Sequence, residues 1–207
     1  MRTRLIFVRH GESVHGVEDV VGGVRGCRGL TGRGHEQANR VAARLAGELD
    51  DAAAVYSSTL RRAVETARPI AAALGVETVE DCGLCTWHTP DYADGMPKGE
   101  FLHAHAREGG GVFRPFQRGN ETWAELVTRS GRSIMDIAHR HRGATAVLVG
   151  HSETVNASFH ALAAQPLMRA FDLAVAPASI TEWTTDDDPT GLPPARWTLH
   201  RFGEAPR

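Results

Sequence analysis

Two short stretches of nearly uninterrupted apolar residues, Leu5-Ile6-Phe7-Val8 and Ala144-Thr145-Ala146-Val147-Leu148-Val149, constrain this chain more than any other feature. A strand with one wet face alternates apolar and polar side chains. A strand without that alternation has both faces covered, as in sheets flanked by helices on either side. Both runs end at a histidine: the first leads into Arg9-His10-Gly11, the second into Gly150-His151.

The residues between them alternate in the same sense. Thr31 can cap a helix in which Ala38, Val41, Ala42, Leu45 and Leu49 recur at helical spacing to about Asp50. Ala53 to Tyr56 reads as a strand. Ser57 or Ser58 can cap the next helix, with Leu60, Ala63, Val64, Ala67, Ile70, Ala71 and Leu74 on one face and Gly75 as its stop. Pro69 should kink or divide it. Val76 to Val79 can be a further strand, Asn120 can cap a helix through Ala138, and a helix from about Thr154 to Ala164 follows the second buried run. Ser179 to Thr184 and Arg196 to His200 alternate like late strands across an Asp/Pro/Gly-rich turn. This order predicts an α/β fold, a three-layer α/β/α sandwich around a mostly parallel sheet, with residues 1–207 in one domain.

Residues 81–119 break the pattern. They are rich in Gly, Pro, His and aromatics without periodicity, and so long an irregular stretch in a compact domain is usually functional. We read them as a lid insertion. Trp87, Phe101, Phe113 and Phe116, with Trp123 beyond, can form an apolar wall, and Arg107, Arg114 and Arg118 can meet a second anionic group.

The topology has a chemical consequence. Arg9-His10, Ser57-Ser58 with Arg62, and His151 each follow a predicted strand, and in such folds the carboxyl ends of strands border one crevice. Each segment alone has a plain structural explanation: a strand-end histidine beside a solvated arginine, or a satisfied core histidine. Helix propensity does not explain two arginines, Arg61 and Arg62, at a helix N-terminus whose dipole repels cations. Both that terminus and the one opening at Gly150-His151-Ser152-Glu153-Thr154 are ready anion sites.

Composition narrows the partners. A net charge of −2 offers no general attraction to nucleic acid or anionic lipid, and no run is long enough to span a membrane. The apolar run after Met1-Arg2-Thr3-Arg4 is too short for a secretion signal, so a cytoplasmic location is expected. Three cysteines, Cys27, Cys82 and Cys85, are an odd count, which argues against a disulfide framework. Cys82-Gly83-Leu84-Cys85 is a C-x-x-C with His88 close behind. A zinc site needs a fourth ligand of suitable spacing and a redox motif needs a strand-to-helix context, so neither a metal nor a cofactor is expected.

Four ordered motifs resemble the histidine phosphatase superfamily, in the branch that includes the phosphoglycerate mutases. They are Arg9-His10-Gly11-Glu12-Ser13; Leu30-Thr31 with Gly34, Gln37 and Ala38; Tyr56-Ser57-Ser58 through Thr66-Ala67; and Val149-Gly150-His151. The resemblance implies that His10 is the nucleophile, that Arg9 and Arg62 hold phosphoryl oxygens and that His151 donates to them. Ser13, Ser152, Asp94 and Trp87 are then expected at the substrate. Where many relatives carry asparagine this chain has Gly16, and Gly22-Gly23 backbone can substitute for that contact. Where relatives carry a general-acid glutamate after the third strand this chain has Thr86, which cannot do that work. Glu153 is the preferred substitute, ahead of Asp91, Asp94 and His88. The expected activity is metal-independent hydrolysis of a small phosphorylated metabolite through a phosphohistidine. The alternatives are a mutase and a catalytically weak anion-binding module, and a homodimer is compatible with the sequence.

Overall fold

The computed structural model describes residues 1–168 and 173–206. Strands β1 (Thr3–Arg9), β2 (Ala52–Ser57), β3 (Thr78–Glu80), β4 (Thr145–Gly150), β5 (Ile180–Thr185) and β6 (Thr198–Glu204) form one sheet in the order β3-β2-β4-β1-β5-β6. The β3/β2, β2/β4 and β4/β1 pairs are parallel, and β5 and β6 extend the sheet antiparallel. The mostly parallel sheet is as expected. Helices α1 (Val14–Val17), α2 (Gly32–Glu48), α3 (Arg61–Leu74), α4 (Lys98–Ala104), α5 (Trp123–Arg140) and α6 (Ser152–Leu162) surround it.

The two unbroken apolar runs explain the layering. Leu5 and Phe7 of β1 and Ala146 and Leu148 of β4 face one way, against Ile134, Ile137 and Ala138 of α5 and Val155 and Leu162 of α6. Ile6, Val8, Val147 and Val149 face the other way, against Val41, Ala42 and Leu45 of α2 and Ala63, Ala67 and Ile70 of α3. Successive side chains of a strand point to opposite faces, so a strand between two helical layers needs apolar residues at every position.

Three local expectations are corrected. Pro69 does not divide α3, which runs unbroken from Arg61 to Leu74 and is ended by Gly75 with its left-handed backbone (φ 69°). Pro69 and Glu65, the residue whose carbonyl loses its donor, are only half-buried, so water can reach that carbonyl, while the apolar face on α2 holds the helix together. The cap of α5 is Thr122, not Asn120. Its hydroxyl accepts from Glu125 N (3.1 Å) and Glu125 Oε2 accepts from Thr122 N (2.8 Å), a complete capping box. Residues 81–119 are also less irregular than expected: they contain 3₁₀ turns at Cys82–Leu84 and Asp91–Ala93 and the whole of α4.

Candidate active site

Because β1, β2 and β4 run parallel, their carboxyl ends share one edge, and hydrogen bonds join the segments that follow them. His10 N donates to Gly150 O (2.9 Å) and Ser58 N donates to Val149 O (2.9 Å). The sequence motifs brace one another. Gly11 N donates to Thr66 Oγ1 (3.1 Å), which donates to Arg62 O (2.8 Å); Glu12 N donates to Gln37 Oε1 (2.7 Å), and Thr31 Oγ1 donates to Glu12 Oε1 (2.8 Å). Gly11 and Gly34 let two backbones touch. A methyl group on Gly11 would lie 2.6 Å from Gly34 O, and one on Gly34 would lie 2.1 Å from Glu12 O. Gly11 thus serves contact between chain segments.

At this edge lies a cavity of about 490 Å³, with Arg9, His10, Arg62 and His151 on its wall. The His10 and His151 rings meet edge to face at 5.1 Å between centroids. His10 Nδ1 lies 2.7 Å from Gly11 O. A carbonyl only accepts, so Nδ1 carries the proton and Nε2 of the neutral ring holds the lone pair. Burial, reinforced by Arg62, pushes both histidines well below the ordinary imidazole pKa, which keeps them neutral. Burial also lowers Arg9, against the opposing field of Glu153.

The two guanidinium groups are anchored and incompletely paired. Arg9 Nη1 donates to Val175 O and Arg62 Nη1 donates to Gly22 O (2.8 Å), whereas Arg9 Nε and Arg62 Nε are buried without a hydrogen-bond partner among the described residues. Buried donors without partners are costly, and a bound oxyanion would satisfy them.

Of the remaining expected residues, Gly22, Trp87, Ser152 and Glu153 line this cavity, as does Thr86. Ser13, Gly23 and Asp94 are not among the lining residues. Ser13 is buried in a bridge to Leu30. Asp94 accepts from the backbone N–H groups of Gly23 (2.8 Å), Arg25 (2.6 Å) and Gly26 (2.8 Å). The Gly23 N–H offered as a phosphate contact is therefore already engaged. Of the expected apolar wall, Phe101 and Phe116 line the cavity and Phe113 is 72% exposed, while Trp123 packs behind Trp87 at 5.7 Å between rings. Arg107, Arg114 and Arg118 do not reach the cavity, which takes its outer cation from Lys98.

Sequence reading placed Ser58 at the crevice but missed His15, Lys98, Gln117 and Asn120 on its wall. His15 packs where a Gly22 side chain would stand, its imidazole held at about 4 chiefly by burial and then by Arg62. Ser58 Oγ lies 2.9 Å from His151 Nε2. Asn120 Oδ1 is buried without a partner among the described residues. The four missed residues lie in segments without periodicity.

The model of the histidine phosphatase superfamily (branch 1) matches residues 5–193. The chain belongs to this superfamily. It is 32% identical over 162 residues to phosphoglycerate mutase-like protein 4 of Arabidopsis thaliana, covering 75% of this chain and 69% of that protein. A bifunctional protein of Mycobacterium tuberculosis is 30% identical over 154 residues, and the match spans 41% of its length. Among solved structures, the mycobacterial glucosyl-3-phosphoglycerate phosphatase superposes with a TM-score of 0.80 at 23% identity, covering 98% of this chain and 99% of that one. The phosphoserine phosphatase of Entamoeba histolytica bound to phosphoserine gives 0.73 at 23% identity, covering 98% and 97%. At such identities these structures establish the shared fold. As a histidine phosphatase, the chain is an enzyme of the phosphatase class. Among the described residues no helix is long and apolar enough to cross a membrane.

Within this histidine phosphatase the acid question narrows. Glu153 is the one carboxylate among the described residues lining the cavity, whereas His88, Asp91 and Asp94 line a neighbouring one.

Proposed function

We propose that this phosphatase hydrolyses a small phosphorylated metabolite through a phosphohistidine on His10, with Glu153 as the acid and base. The observation that carries the reading is the pairing of a neutral His10, its Nδ1 proton committed to Gly11 O, with two buried guanidinium groups that have unpartnered Nε atoms on the same wall.

The chemistry follows. His10 Nε2 attacks phosphorus as the ester oxygen departs, and the charge on the three equatorial oxygens is met by Arg9, Arg62 and the His151–Ser58 pair. Glu153 as carboxylic acid protonates the leaving oxygen. The resulting carboxylate then takes a proton from water as that water attacks the phosphohistidine, which restores His10 and the protonated acid. Thr86, at the position where relatives carry the acid, contributes only wall.

The segment 81–119 acts in this reading as the lid: Thr86, Trp87, Thr89, Lys98, Phe101 and Phe116 all come from it. The substrate beyond its phosphate then has a small apolar part, against Trp87, Phe101 and Phe116, and an anionic or hydroxyl group for Lys98 and Asn120. Phosphoserine and glucosyl-3-phosphoglycerate, named in the solved relatives, belong on the first panel of esters.

The test is phosphate release across that panel by the wild type and His10→Ala, with brief labelling to trap an acid-labile phosphoenzyme. The expected result is turnover and label in the wild type and neither in His10→Ala. Equal release by both would remove His10 as nucleophile, and label passed to a second metabolite rather than to water would make the enzyme a mutase.

A further inference from the structure

Next to the reaction cavity, and not among the residues on its wall, lie Cys82, Cys85 and His88. Their ligand atoms all fall within 4.8 Å of one another, and Cys82 Sγ lies 3.4 Å from His88 Nε2. In a tetrahedral site with metal–sulfur bonds of about 2.3 Å and metal–nitrogen bonds of about 2.0 Å, ligand atoms stand about 3.5–3.8 Å apart. The cluster therefore needs only a slight contraction to close on an ion. All three cysteines of the chain are free.

The backbone that presents these groups is held before any ion arrives. Cys85 N donates to Cys82 O (3.0 Å), closing the turn, and Gly83 N donates to Asp81 Oδ1 (2.7 Å). Arg129 of α5 donates through Nη1 to Cys82 O (2.9 Å) and Cys85 O (3.2 Å), and through Nη2 to Glu121 Oε2 (2.8 Å). The same Glu121 oxygen accepts from His88 N (3.1 Å). One arginine thus ties the C-x-x-C turn to the histidine's backbone. A methyl group on Gly83 would lie 2.3 Å from Ser133 Cβ, so the turn seats directly on α5. Behind the inner thiol, Ser58 Oγ and Thr59 Oγ1 lie 3.3 Å and 3.2 Å from Cys85 Sγ, the kind of outer hydrogen bonding that orients a thiolate ligand.

We propose that Cys82, Cys85 and His88 form a binding site for a divalent cation of the zinc class, with the fourth position open to the neighbouring cavity lined by Asp91 and Asp94. Two thiolates and an imidazole select a borderline-soft cation over magnesium or calcium. As the two metal–sulfur bonds form, each thiol gives its proton to solvent, so two protons leave per ion bound. Between ligands Cys85 and His88 lie Thr86 and Trp87, both on the wall of the reaction cavity. The ion would therefore staple the root of the lid without taking part in phosphoryl transfer.

The test uses the full chain, kept reduced and stripped with a chelator, then titrated with zinc against a chromophoric competitor and separately with cobalt(II). The expected result is one zinc per chain and a thiolate-to-cobalt charge-transfer absorption. Affinity should fall at least tenfold in Cys82→Ser and in His88→Ala, both at exposed positions, and hold in Cys27→Ser. A wild type that takes up less than one zinc, shows no thiolate–cobalt absorption, or binds no more tightly than Cys82→Ser and His88→Ala would overturn the site. Circular dichroism of each variant confirms that its fold is intact.

Discussion

Replacing Glu153 by glutamine removes a proton from the proposed mechanism while changing little else. Glu153 lies in the first turn of α6, and glutamine keeps its size and its helix, so the enzyme should stay folded at room temperature. Phosphate binding, which rests on Arg9, Arg62 and His151, should change little. The effect should fall on turnover. A positioned general acid contributes about 10²–10⁴-fold, or about 2.7–5.4 kcal/mol of barrier. No second carboxylate among the described residues lines the cavity to replace it. With an alkyl phosphate, whose leaving alkoxide needs a proton, kcat should fall by that factor at constant KM. With a nitrophenyl phosphate, whose leaving phenolate is stable unprotonated, the formation of the phosphoenzyme should slow by less than about tenfold. Rapid-quench measurement of phosphoenzyme formation for both esters separates the cases. Equal slowing of the two, or no slowing of the alkyl ester, would refute the acid role. Adding Thr86→Glu to Glu153→Gln should restore part of the alkyl-ester rate, because position 86 lies on the same wall.

Three further outcomes follow from the geometry. Arg62→Ala should lower kcat about 10²–10³-fold, the usual cost of one preorganised donor to a transition-state oxyanion, and steady-state kinetics on the best ester would show it. Neutral burial of His10 and His151 means that below the unfolded imidazole pKa of about 6.5 the unfolded chain gains protons that the folded chain refuses. Stability is therefore complete above that pH and falls as pH drops, by up to about 2.7 kcal/mol per unit for the pair; urea midpoints at pH 7 and 5.5 should show a flatter dependence in the double substitution His10→Gln, His151→Gln. Asp94→Ala strips the acceptor from three backbone N–H groups and should cost about 1–3 kcal/mol in urea denaturation.

Much of the framework was legible in the chain itself. Unbroken apolar runs mark strands covered on both faces, helical spacing marks α2, α3 and α5, and the strand ends mark where Arg9, His10, Arg62 and His151 would gather, because these patterns report burial over a few neighbouring residues. Thr31 announced its cap, whereas the cap of α5 falls on Thr122 instead of the expected Asn120, because the Glu125 carboxylate three residues on reaches back to it. Packing decided the rest. Asp94, an acidic residue of the lid expected at the substrate, is turned by the fold onto the Gly23–Gly26 loop. Lys98 and His15 reach the cavity, while Cys82, Cys85 and His88 close on one another, through contacts between segments with no shared periodicity. A local pattern can say which side of an element is buried; which side chain stands opposite another depends on how whole layers dock, and that is settled only when the chain is folded.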